Sequence, residues 1–279
     1  MAKLPKNLSV FFVFFVSVIY HDGNKVPHRR LLPISVMSTL KRFYRNVLQS
    51  RVSFVSGTHE DRVHALELES HLATTTYGNF TLTDAIRPSL DLAIIPEQGY
   101  KYDRHQLGID NVASFHRIGS RWLMPILIAS VSLEQLFETF LEMLTPLGDT
   151  VNIVLETSHC YARVHHADLY RDHIDLPVLK SFLYDHEDIL LNDGCTGISV
   201  FAPRMRAAVK FDEHKLIYVY AKSLLPFEKI LRRHSIPLNE TMPVLTDAEH
   251  VHITRDEYFK RFRTLQMSLG MDESYTTAR

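Results

Sequence analysis

One stretch of the chain restricts the fold more than any other: two apolar runs flank an amphipathic helical pattern, in direct succession. Trp122–Ala129 is continuously apolar, as expected of a strand buried on both faces. Ser132 and Gln135 then form a capping-box pattern, and Leu133, Leu136, Phe137, Phe140, Leu141 and Leu144 recur at helical spacing. Pro146 and Gly148 stop the helix, and Val151–Glu156 reads as a second strand. Strand, helix and strand in this order predict a parallel pair joined by a right-handed crossover.

The alternation continues downstream. Asp175 caps a helix carrying Val178, Leu179, Phe182, Leu183 and Leu190, which closes near Gly194 as a C-cap glycine. Strands follow at Thr196–Ala202, Arg206–Phe211 and Lys215–Ala221, the last two joined as a hairpin by Asp212-Glu213-His214. Ser223 opens a helix with Phe227, Ile230 and Leu231, and Met242–Leu245 reads as a short strand. Thr254 and Glu257 form another capping box before a last helix with Tyr258, Phe262, Leu265 and Leu269, ended by Gly270. The fold class expected is mixed α/β: a mixed sheet flanked by helices, with one strand–helix–strand crossover plus a hairpin.

Upstream the pattern is less regular. Residues 38–49 fit a helix, and Arg51–Val55, Asn79–Thr83 and Leu90–Ile95 fit strands; residues 97–111 look like a polar loop. The organisation expected is an extension outside the fold at 1–36, an N-terminal α+β part at 37–120, the main α/β core at 121–270 and a disordered tail at 271–279. The apolar run from Leu8 to Tyr20, preceded by Lys3 and Lys6, is shorter than the roughly 20 residues a membrane span needs. Residues 1–36 are taken as an extension preceding a start at Met37, with a signal peptide or a membrane-associated anchor as the alternatives. Cytoplasmic placement is expected, or export if residues 1–20 act as a signal peptide.

With 31 Lys+Arg against 32 Asp+Glu, the formal net charge of −1 supplies no global field for nucleic acid. The two cysteines, Cys160 and Cys195, cannot form a disulfide framework and fit no zinc-finger spacing. GxSxG, HExxH, Walker and GxGxxG motifs are all missing from the sequence.

Three groups of residues carry chemistry. Glu156-Thr157-Ser158-His159-Cys160, followed by His165 and His166, begins at the end of a central strand and offers carboxylate, imidazole and thiolate ligands for a divalent metal. His250 and His252 share one face if extended, and need further ligands, with His159 and His166 as candidates. Arg204 and Arg206, taken to share one side of a strand, with Lys210, Arg163 and Arg171, and Arg117 and Arg121 before the buried strand, are candidates for binding a small anion. Cys195 reads as a small buried residue.

Two functions are carried forward. The first is a non-catalytic binding or regulatory domain for a protein partner or small anionic ligand. The alternative is a metal-dependent, hydrolase-type enzyme built on Glu156, His159, His165, His166, His250 and His252.

Overall fold

The computed structural model describes residues 75–88, 94–103, 116–118, 121–159, 167–247 and 250–271. The expectations for residues 1–36 and 38–49, for Arg51–Val55 and most of Leu90–Ile95, for Cys160, Arg163, His165 and His166, and for the tail after Met271 lie outside them. The chain divides into two units, Met1–Val55 with His116–Leu123, and Ser56–Phe115 with Met124–Arg279.

In chain order the strands and helices are β1 (Thr76–Tyr77), β2 (Phe80–Thr81), β3 (Ile86–Pro88), β4 (Gly99–Tyr102), β5 (His116–Ile118), β6 (Arg121–Leu123), β7 (Ile126–Ser130), α1 (Leu133–Met143), β8 (Thr150–Thr157) and β9 (Ala167–Asp175). They continue with α2 (Leu176–Asp185), α3 (Glu187–Asn192), β10 (Thr196–Ala202), β11 (Ala207–Phe211), β12 (Ile217–Ala221), α4 (Leu225–Arg233), β13 (His250–His252) and α5 (Asp256–Ser268). In the first unit the described residues form the antiparallel β5–β6 hairpin.

The second unit is built on a seven-stranded sheet of order β4-β7-β12-β11-β10-β8-β9. The mixed α/β class, the crossover and the hairpin are all present, but the pairing differs from the expected one. Every strand pair in this sheet is antiparallel. β7 and β8 do run in the same direction across α1, yet β12, β11 and β10 lie between them. The crossover therefore spans three strands, and hairpin-type pairing fills the interval.

One face of the sheet makes the main core. Leu127, Ile153, Leu155, Val200, Val209, Phe211 and Val219 alternate along their strands and pack with Phe140, Leu179, Leu183, Phe227, Leu231, Phe262 and Leu265 from the helices. Phe140 stacks on Phe211 with ring centroids 4.9 Å apart. The opposite face is also buried, as Ile128, Val154 and Ala208 show, but it carries Glu156, Ser199 and Lys210.

Local departures from the sequence pattern have physical causes. The run from Trp122 to Ala129 divides at Met124-Pro125 into β6 and β7, since proline has no N–H for a ladder. Residues expected as polar loops form β4 and β9. Both end the sheet order: β4 bonds outward through Tyr100 to Pro237 O and Asn239 N–H, and β9 tolerates polar residues such as Asp168 and Asp172 beside buried Leu169 and Ile174. Ser132 occupies the N-cap of α1, but its hydroxyl makes no cap bond. It accepts Thr81 N–H at 2.9 Å and donates to Glu134, so the predicted capping box is replaced by a tie to β2. The single helix expected after Asp175 breaks into α2 and α3 at His186, whose N–H bonds three residues back to Leu183 and whose ring bonds Phe182 O. Met242–Leu245 is not a strand and runs into a short 3-10 turn at Leu245–Asp247. Gly270, with φ of 62°, ends α5 where a left-handed residue is required.

Because Phe140 is wholly buried against Phe211, Phe140→Ala is expected to destabilise the protein by about 3–5 kcal/mol. Urea unfolding of the two proteins at constant m-value checks this.

Candidate metal centre

The hairpin turn between β11 and β12 is organised by one carboxylate. Asp212 Oδ1 accepts Leu216 N–H at 2.9 Å, and Oδ2 accepts the Nδ1–H of His214, also at 2.9 Å. The turn closes with Lys215 in a left-handed conformation, φ 61°. This arrangement fixes the His214 ring through Nδ1 and turns Nε2 away from Asp212.

β13 brings the other two imidazoles. His250 and His252 stand two residues apart on a strand paired with β3, so they share a face. His252 Nδ1–H donates to Gly194 O at 2.7 Å, which again leaves Nε2 directed elsewhere. Gly194 makes this contact possible: a Cβ there would lie 2.5 Å from Ala85 O and 2.9 Å from Ile253 N and O. Gly194 N–H donates to Ile253 O, and Ile253 N–H to Ala85 O, both at 2.8 Å. The expectation that Gly194 serves as a C-cap glycine is corrected; close backbone approach is what excludes a side chain.

The result is a triangle of imidazoles. Ring centroids are 5.0 Å apart for His214 and His250, 4.7 Å for His214 and His252, and 5.2 Å for His250 and His252. One ligand atom from each lies within 4.8 Å of the others. Three imidazoles on a tetrahedral zinc, with bonds of about 2.0–2.1 Å, would hold their ring centres about 5.2 Å apart. Carboxylate and carbonyl partners on the second nitrogen are the usual means of orienting a metal-binding histidine.

Electrostatics divide the three rings. Burial lowers the His252 pKa, and His214 and His250 lower it further, to about 4, so this ring is neutral near pH 7. Burial also disfavours charge on His214, but the Asp212 carboxylate and the hydrogen bond to it outweigh burial and raise its pKa above the ordinary value. A cation at Nε2 would have to displace that proton, which makes ion binding favoured by rising pH.

Beyond Gly194 lies a separate buried network. His159 Nδ1 meets Thr157 Oγ1 at 2.6 Å, while Nε2 lies 3.2 Å from both Asp193 Oδ2 and Thr254 Oγ1. Thr254, expected as a capping residue for α5, is engaged here instead. Burial pushes the Asp193 carboxyl up, but bonds from His159, Thr196 and Thr254 hold it below its ordinary value. Ligand atoms of His159, Asp193 and Cys195 also approach within 4.8 Å. Both His159 nitrogens are already engaged, however, and burial with the nearby Asp193 charge pushes the Cys195 thiol up to about 12.

The remaining candidates disperse. Glu156 Oε1 accepts Ser199 Oγ–H at 2.7 Å and Oε2 accepts Lys210 Nζ–H at 2.9 Å on the sheet's second face, so Glu156 joins neither histidine group. Arg204 and Arg206 do not share one side of a strand; they sit exposed in the β10–β11 turn, with Arg206 at φ 49°. Lys210 is buried against Glu156, and Arg171 donates to Leu269 O beyond α5, so these cations do not form one anion-binding face. Arg117 and Arg121 lie on β5 and β6, with their side chains outside the described part. Sequence patterning marks His214 only as a turn residue; the Asp-x-His spacing of Asp212 and His214 is the signal that points to a ligand.

No family model matches the chain, and neither a curated protein nor a solved structure matches it.

Two outcomes follow from these environments. Since the thiolate is the reactive form, native Cys195 should alkylate at pH 7.5 on the order of a thousandfold more slowly than in urea, read peptide by peptide by mass spectrometry. Glu156→Gln leaves the Lys210 charge buried without its counter-charge and should cost about 3–5 kcal/mol, whereas Glu156→Gln with Lys210→Met should recover much of the loss in urea unfolding.

Proposed function

We propose that this protein binds one divalent transition metal ion, of the zinc type, through Nε2 of His214 and His252 together with an imidazole nitrogen of His250. The observation that carries the proposal is the convergence of three rings at centroid spacings of 4.7–5.2 Å from two separate chain segments. Support comes from the partners Asp212 and Gly194, which hold Nδ1 of two of the rings. An all-imidazole set suits zinc, copper, nickel and ferrous iron, and disfavours calcium and magnesium, which take oxygen ligands. Of the two functions considered, metal-dependent chemistry gains from this convergence. The scattered arginines lend none to a dedicated anion-binding face.

Elemental analysis after dialysis against Zn²⁺ should find one equivalent of metal per chain. His214→Ala, His250→Ala and His252→Ala should each weaken binding by more than about a hundredfold, and Asp212→Asn by about ten- to a hundredfold. His159→Ala should retain the ion. Free Zn²⁺ at a hundred times its Kd should stabilise the wild type by about 2.7 kcal/mol. Zinc-free protein from that dialysis, or retention of full affinity in all three alanine variants, would defeat the proposal.

A further inference from the structure

His214 has a second environment besides the other two rings. With Lys215, Leu82, Ile86, Leu216 and Leu245 it lines a small, partly open cavity of about 20 Å³, room for water or a species of a few atoms. Thr83 also lines this cavity. Its side chain is 2% exposed, and its Oγ1 has no hydrogen-bond partner. A buried hydroxyl without a partner is destabilising, so a polar occupant is favoured there. Most of the wall is apolar, and an apolar cavity holds water only where polar groups meet it. Thr83 and the edge of the metal triangle are such groups.

We infer that the ion's fourth coordination position opens into this cavity and holds a solvent water, exchangeable for a small monoanion, with the Thr83 hydroxyl as its hydrogen-bond partner. The inference rests on the metal proposal above. Three protein ligands leave one tetrahedral position, and an exchangeable solvent ligand separates catalytic zinc sites from closed structural ones. The cavity sets the ligand class: species of a few atoms, such as azide or cyanate, and not a peptide or nucleotide. Thr83 adds selectivity for a group that accepts a hydrogen bond, and an anion accepts it more strongly than water does.

The test uses the full chain loaded with Co²⁺, whose visible absorption reports ligand exchange. Stoichiometric Co²⁺ with a saturable azide-induced spectral change in the wild type is expected. Azide affinity should fall about tenfold or more in Thr83→Val, the loss of one hydrogen bond to an anion, and be largely kept in Thr83→Ser. Co²⁺ bound at full stoichiometry with a spectrum indifferent to azide would overturn this inference alone and leave a closed metal site. Azide binding unchanged in a folded, Co²⁺-loaded Thr83→Val would also overturn it, because the open position would then face away from the cavity. Failure of Co²⁺ and Zn²⁺ to bind at all would overturn the metal proposal with it.

Discussion

The short segment Asp193-Gly194-Cys195-Thr196 is the junction on which the candidate centre depends. Lys215, buried and next to His214, donates from Nζ to Asp193 O at 2.7 Å and to Thr196 O at 3.0 Å. Gly194 accepts the His252 ring and exchanges backbone contacts with Ile253. The turn that carries His214 and the strand that carries His252 are thus referenced to the same four residues. Neither the turn nor the two-stranded β3–β13 sheet would hold an imidazole to within an ångström by itself, since short hairpins are marginal in water. Pinned to a junction at the edge of a large core, they do.

Much of the fold was legible from periodicity. The 3.6-residue spacing in α1 and α5, the hairpin around residues 212–214 and the buried runs of β7, β8 and β10 all express one-face or two-face burial, which a single chain segment records. Pairing was not legible. Whether β7 and β8 touch depends on whether β10, β11 and β12 insert between them, and burial of β7 on both faces looks the same in either case. β9 was hidden for a related reason. An edge strand needs few apolar residues, so Asp168, Tyr170, Asp172 and His173 read as loop until β8 supplies a partner.

The candidate centre was half legible. His250 and His252 declare themselves, because an i, i+2 pair on a strand must share a face. Their third partner comes from another segment, and no local pattern links it to them. Glu156 and His159, which the sequence groups with them, lie close together on β8 and its exit, yet their side chains part. Glu156 faces the polar side with Lys210, and His159, beyond the strand end, turns to Asp193. Gly194 shows the same limit: a glycine after a helix looks like a cap, and only the approach of Ala85 and Ile253 reveals why a side chain is excluded.

Charge gives an independent argument for a cation at this place. The carboxylates of Asp193, Asp212 and Glu213 all act on Lys215 and favour its ammonium form, but burial outweighs them and lowers its pKa. Lys210, which also acts on Asp212, is already paired with Glu156. Among the described residues, Asp193 is met by His159, and Asp212 by His214 and Lys210. Beside Asp212 a proton on His214 is favoured even against burial, in keeping with its raised pKa. A divalent ion on the imidazole triangle would take the place of that proton beside Asp212. In the proposed site Asp212 would stand one bond behind the ion, on the second nitrogen of His214, and would oppose its charge without entering its coordination sphere.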